Sequence, residues 1–354
     1  MKTSLIFTVV LAALFSVSCR NNRAAFPVLE GDYPALEIPA GKPVIFSPGI
    51  FCTGLNERDI TLSPDGKEIF YGLSAGKMVT IMYSRFNGKC WEEPVVAPFA
   101  SDRRFSYFEP CFAPDGNSVW FLTTMPVMDK EPRSGWAYQN IFVSERKSDG
   151  TWDSPHDPGG CINEGAFQFY PSVTRSGTVY FSRTDPATGR HWLFRSSFNN
   201  GMYTKCEMLP EPVNSDSVMP FNVYVSPDET YMIACISSIS VEWNLERSNY
   251  FIFSGDGKGG WSGPVPLGPE INIPGSNAMS SSLSPDGRYF FFAAQVTRPA
   301  SEDKNGPVNL SEIINASSSP QNGNYDIYWV DAGVIRKSAE KAQQNGLRQA
   351  VRLP

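Results

Sequence analysis

Histidine is nearly missing from this chain: its 354 residues hold two, His156 and His191. They fall in different predicted elements, and neither has a partner at metal-ligand spacing. No metal centre is therefore expected, no pattern calls for a cofactor, and a Ser-His-Asp triad would need a histidine that the functional region does not supply. Basic residues are also few, with 30 Lys and Arg against 36 Asp and Glu, for a net charge of −6. They form no stripe, which excludes the electrostatic footprint of a nucleic-acid binder. Long helical patterns are scarce, and no C-x-x-C occurs. After residue 18 nothing is apolar enough to span a membrane, which takes about 20 residues.

One apolar run stands at the start. Lys2 precedes Leu5–Val17, and the run ends at Ser16-Val17-Ser18-Cys19. It is too short to cross a bilayer and has the build of a secretory signal. A cysteine directly after a small residue resembles a bacterial lipobox, which implies that Cys19 becomes the lipidated N-terminus and anchors the chain to a membrane. An ordinary cleaved signal is the alternative. Arg20-Asn21-Asn22-Arg23 carries no acid, so the expected place is the outer membrane facing the periplasm, with the cell surface as the second choice. Residues 1–18 then form the signal, 19–39 a lipidated N-terminus and linker, 40–335 the folded body and 336–354 a tail able to form a short helix.

Six cysteines remain: Cys52, Cys90, Cys111, Cys161, Cys206 and Cys235. An even number in an exported chain permits disulfides, and 15 pairings are open. Cys111 and Cys235 read as plain core residues, while Cys90 and Cys206 fall in different repeats, too far apart to join.

What the chain has in quantity is a repeat. Five segments align: Asp59–Tyr71, Glu109–Phe121, Tyr170–Phe181, Asn222–Ala234 and Ser280–Phe292. Their common centre is Ser-Pro-Asp-Gly, in which Pro sets φ, Asp bonds the turn and Gly takes positive φ. The third copy (Thr174-Arg-Ser-Gly177) and the fourth (Ser226-Pro-Asp-Glu229) depart from it, which predicts altered turns there. Flanking runs such as Tyr289-Phe-Phe-Phe292 have the β-branched and aromatic make-up of buried strands. A third strand follows each hairpin, then a Gly turn and a Trp with Pro three residues on, at Trp91, Trp152 and Trp261; Tyr203 takes that place in the third copy. Units of roughly 50 residues match a four-stranded propeller blade. The fold class is all-β: a single β-propeller of five four-stranded blades, with a sixth left open over residues 26–56. The fifth unit lacks its outer strand, and Ala40–Ser47 is placed to supply it and remove the free edges. Two long connections, Met125–Tyr138 and Thr297–Asn324, read as loops.

These motifs, Ser-Pro-Asp-Gly before an aromatic strand and then Asp/Asn-Ile-Tyr/Phe, resemble the WD40-like repeat of TolB-type propellers over about residues 45 to 332. The resemblance implies a non-catalytic envelope protein that binds a protein, peptide or glycan. The residues ahead of each turn should converge on the central channel: Glu57, Arg58, Asp59, Tyr107, Glu109, Gln168, Tyr170, Asn222 and Asn277. Such acids, amides and aromatics suit a polar ligand. The alternative is a carbohydrate-active enzyme in which Glu57, Asp59 and Glu109 provide a carboxylate pair for glycoside hydrolysis.

Overall fold

The computed structural model describes residues 26–127, 131–132, 135–165, 167–238, 247–257, 259–298, 309–338 and 340. Cys19 and the segment before it lie outside these residues, as does most of the C-terminal tail.

A two-residue strand β1 (Val44–Ile45) comes first. Blade one is β2 (Asn56–Leu62), β3 (Glu68–Ala75), β4 (Met78–Arg85) and β5 (Val95–Val96). Blade two is β6 (Tyr107–Phe112), β7 (Ser118–Thr123) and β8 (Asn140–Glu145). Blade three is β9 (Phe167–Val173), β10 (Val179–Thr184), β11 (His191–Ser196) and β12 (Cys206–Met208). Blade four is β13 (Val218–Val225), β14 (Tyr231–Ser238), β15 (Asn249–Gly255) and β16 (Trp261–Pro266). Blade five is β17 (Ser281–Leu283), β18 (Tyr289–Thr297) and β19 (Asn322–Asp331), with β1 as its outer strand. In blade two the fourth position is held by two bridges alone, Val143 with His156 and Arg146 with Trp152.

Neighbouring strands within each blade run antiparallel. The inner strands contact one another in the order β2, β6, β9, β13, β17 and back to β2, which closes five blades about one axis. Closure is made as the repeat predicts: β1 pairs with β19 through Val44 opposite Trp329 and Ile45 opposite Tyr328. Phe46 follows into full burial against Phe51, Phe291 and Trp329. Residues 26–56 therefore cover blades five and one and build no sixth blade.

The departing turns keep the common geometry, contrary to expectation. The N–H of Gly66, Gly116, Gly177 and Gly287 each returns to the carbonyl three residues back, and Glu229 does the same to Ser226 at 2.9 Å. Glu229 adopts φ 57° without being glycine. That costs roughly 1–2 kcal/mol, and the Tyr180 hydroxyl holds its carboxylate at 2.7 Å.

The core lies between blades, as stacks of large aromatics. Trp91, Trp152, Tyr203 and Trp261 are all buried at equivalent places. Tyr203 substitutes for Trp because its hydroxyl reaches the Gly177 carbonyl at 3.2 Å. Among the described residues one staple is present: Cys161 is bonded to Cys206 within blade three. The long connection of blade five is not all loop, since α1 (Leu310–Ser317) starts there in a capping box between Asn309 and Glu312.

Candidate functional site

Along each inner strand, three consecutive tiers of residues approach the axis, and the turn positions Pro64, Pro114, Arg175, Pro227 and Pro285 index them. Six residues before these lie Arg58, Phe108, Phe169, Phe221 and Met279. Phe108, Phe169 and Tyr170 form one apolar cluster with Phe221 against it, and the Arg58 guanidinium lies 4.2 Å over the Phe108 ring. This tier plugs the channel on the side where the inner strands begin.

The next tier is Asp59, Glu109, Tyr170, Asn222 and Ser280. The first four are non-glycine residues with φ between 49° and 60°. Each sits at a β-bulge, with register shifts between Arg58 and Thr61, Phe108 and Cys111, and Phe221 and Tyr224, and in β10 opposite β9. Left-handed backbone of this kind persists only where the surroundings hold it. Here they do, by contacts that run around the ring. Arg58 pairs with Asp59 at 3.2 Å and with Glu109 of blade two at 3.5 Å. Glu109 accepts the Tyr170 N–H of blade three at 2.7 Å. The Asn222 N–H of blade four donates to Ser182 of blade three at 3.0 Å, and its side-chain amide donates to the Met279 carbonyl at 2.5 Å. Asp59 N–H then donates to the Ser280 hydroxyl of blade five at 3.0 Å. Tyr170 also reaches across the channel, where its hydroxyl bonds both the N–H and the carbonyl of Ser281.

Burial raises the pKa of both acids in this belt. For Asp59 the Arg58 charge and the Ser280 hydroxyl oppose the rise without cancelling it. For Glu109 the Arg58 charge opposes it, and the neighbouring Asp59 carboxylate adds to it.

Beyond the belt the channel opens as a funnel of about 320 Å³ toward the turn face. Its wall carries a third tier, Thr61, Cys111, Ser172, Tyr224 and Ser282. Three of these hydroxyls join blades: Thr61 to the Phe112 N–H, Ser172 to the Val225 N–H and Ser282 to the Ile60 carbonyl. At the mouth stand four prolines and Arg175, which breaks the pseudo-fivefold pattern with one cation.

The residues expected in the channel therefore divide. Arg58, Asp59, Glu109, Tyr170 and Asn222 are brought together. Glu57, Tyr107 and Gln168, seven residues before the index, turn between blades instead. Glu57 is fully buried, bonded by the N–H and hydroxyl of Thr53, and burial pushes it up to about 7. Tyr107 packs on Phe121. Gln168 is fully buried beside Arg183. Asn277 stays outside the belt and donates to Gln295 at 3.3 Å. Cys111 is half-buried and lines the funnel, a departure from the plain core role, whereas Cys235 is fully buried.

His191 lies nearer the axis than expected, in edge contact with Phe169 and within 5.9 Å of Phe221. Among the described residues no cluster of His, Cys, Asp and Glu could hold a metal ion. Gly72-Leu-Ser-Ala-Gly76 has the spacing of a hydrolase nucleophile elbow. It runs from β3 into a hairpin turn rather than a helix, with Ser74 paired to Asn56 and Val79, so it has no elbow geometry.

Together, the sheets and the belt define a five-bladed β-propeller whose channel is plugged at one face and open as a funnel at the other. No family model matches the chain. No curated protein matches it either. Solved structures similar to it include a putative TolB from Agrobacterium tumefaciens, 12% identical with TM-score 0.43, covering 78% of this chain and 90% of that one. A TolB from Acinetobacter baumannii is 15% identical with TM-score 0.44, covering 78% and 54%. An endo-arabinase from Bacteroides thetaiotaomicron is 14% identical with TM-score 0.44, covering 72% and 95%. The blade count and strand order above rest on the strand pairing itself.

Proposed function

We propose that the propeller is a non-catalytic binding scaffold of the bacterial envelope, which receives a protein, peptide or glycan at the funnel mouth. The observation that carries this reading is the state of the three acids. Asp59 and Glu109 share one guanidinium and are almost wholly buried, and Glu57 faces a blade interface. A hydrolytic pair needs carboxyls that flank an open bond site, about 5 to 10 Å apart. Acids locked onto the same arginine serve the belt instead. The funnel mouth, by contrast, is open and carries Arg175 and Tyr224 as distinguishing groups.

Export and anchoring through Cys19 belong to the same proposal. The Cys161–Cys206 disulfide supports an oxidising compartment. No helix among the described residues is long and apolar enough to cross a membrane. Labelling with radioactive palmitate, compared between the wild type and Cys19→Ala, tests the anchor.

For the scaffold itself, the protein is screened on glycan and peptide arrays and incubated with a panel of polysaccharides. The expected result is saturable binding that Arg175→Glu weakens, with no release of sugars. Sugar release that disappears in Glu109→Gln would establish the enzyme reading instead.

A further inference from the structure

A second concavity lies off the axis, where the hairpin between β3 and β4 faces the segment leading into blade two. It measures about 980 Å³, roughly three times the funnel's 320 Å³. Lys77, Arg103 and Arg104 stand around it, Phe105 and Trp136 supply ring faces, and Thr80 lies in its floor. Trp136 is 44% exposed, so its ring is open to a ligand in the groove. Arg104 lies 5.3 Å over the Phe105 ring and pairs with Asp102 at 2.6 Å. Lys77 and Arg103 are in no ion pair among the described residues. Among the described residues here, three cations stand against one carboxylate, the reverse of a chain whose net charge is −6.

We propose that this groove binds an anionic saccharide, with sugar rings that carry carboxylate or sulfate groups. The ring faces of Trp136 and Phe105 stack on the C–H faces of the sugar. Lys77 and Arg103 take its acid groups. A neutral sugar leaves both cations without a partner. An acidic peptide satisfies the cations but brings no ring to Trp136. The site is separate from the funnel and shares no residue with it.

Isothermal titration of the full chain in detergent tests this with a galacturonate trimer, a galactose trimer and a hexaglutamate peptide. The uronate trimer is expected to bind at least about tenfold more tightly than either of the others, and less tightly in high salt. Trp136→Ala and Arg103→Glu should each weaken it about tenfold. Arg175→Glu at the funnel should bind the uronate as the wild type does, which separates this site from the scaffold reading. Equal affinity for the neutral trimer or the peptide overturns the proposal, as does an unchanged Trp136→Ala variant or no binding of the uronate at millimolar concentration. Loss of uronate binding in Arg175→Glu would move the ligand to the funnel and overturn the groove.

Discussion

The carboxylate of Glu109 in blade two accepts the backbone N–H of Tyr170 in blade three at 2.7 Å, while Arg58 of blade one holds the same carboxylate at 3.5 Å. One side chain thus ties three blades together. The bond is available because Tyr170 takes φ 54° at its bulge, which frees its N–H from the ladder of its own blade.

Removing the cation from this belt should be severe. Arg58→Met leaves Asp59 and Glu109 buried without a counter-charge, and breaking a buried pair in this way costs about 3–5 kcal/mol. Urea denaturation at pH 8 should show that loss. The triple variant Arg58→Met, Asp59→Asn, Glu109→Gln should regain most of it, because no charge is then left unpaired. A triple variant as unstable as the single one would show that packing of Arg58 on Phe108 dominates instead.

Tyr170→Phe keeps the ring and deletes the hydroxyl that bonds Ser281 N–H and carbonyl, at 2.9 and 3.1 Å. Two buried backbone groups lose a partner, so a loss of roughly 1–3 kcal/mol is expected. Calorimetry reads it as a lower melting temperature, and exchange of the Ser281 amide should quicken.

Glu57 gives a pH dependence of fixed sign. Its folded-state pKa, about 7, lies above the ordinary 4.5 because burial penalises the charge. Between those values the folded chain binds more protons than the unfolded one, so this group lowers stability as pH rises from about 4.5 to 7. At about 1.4 kcal/mol per pH unit, the effect is at most about 3.5 kcal/mol. Glu57→Gln should therefore gain on the wild type between pH 5 and pH 8, while Thr53 can still donate to the amide oxygen. Parallel denaturation curves at the two pH values would refute the assignment.

The disulfide joins residues 45 apart in sequence. The chain-entropy account puts its contribution at about 4 kcal/mol. Dithiothreitol, or Cys161→Ser with Cys206→Ser, should lower the denaturation midpoint and leave the folded circular dichroism spectrum intact, since the inter-blade aromatic core is untouched.

Much of the fold was legible in the residues. Pro-Asp-Gly chemistry acts over four positions, so it defines hairpins without help from the rest of the chain. Five hairpins, each with a third strand and a Trp or Tyr, then imply five blades, and the missing outer strand of the fifth points to Ala40–Ser47. The divergent turns at Arg175 and Glu229 were the exception: they were expected to differ, but the hydrogen bond within each turn keeps the common geometry and at Glu229 outweighs the cost of one left-handed residue.

The facing of the site residues was not legible. In an ideal strand, alternation decides which side chains share a face, and a bulge breaks that count. The left-handed Asp59, Glu109, Tyr170 and Asn222 therefore reached the axis, while Glu57, Tyr107 and Gln168, two residues earlier, went between blades. The pairing of Cys161 with Cys206 was equally hidden, because it depends on how the loop before β9 folds back on β12. By itself the sequence determined the repeat, the ring and its closure, all of which rest on local turn chemistry and strand pattern. Only the tertiary structure decided which acids meet Arg58 and which face of the channel stays open, because contacts between blades bring together residues 50 or more positions apart.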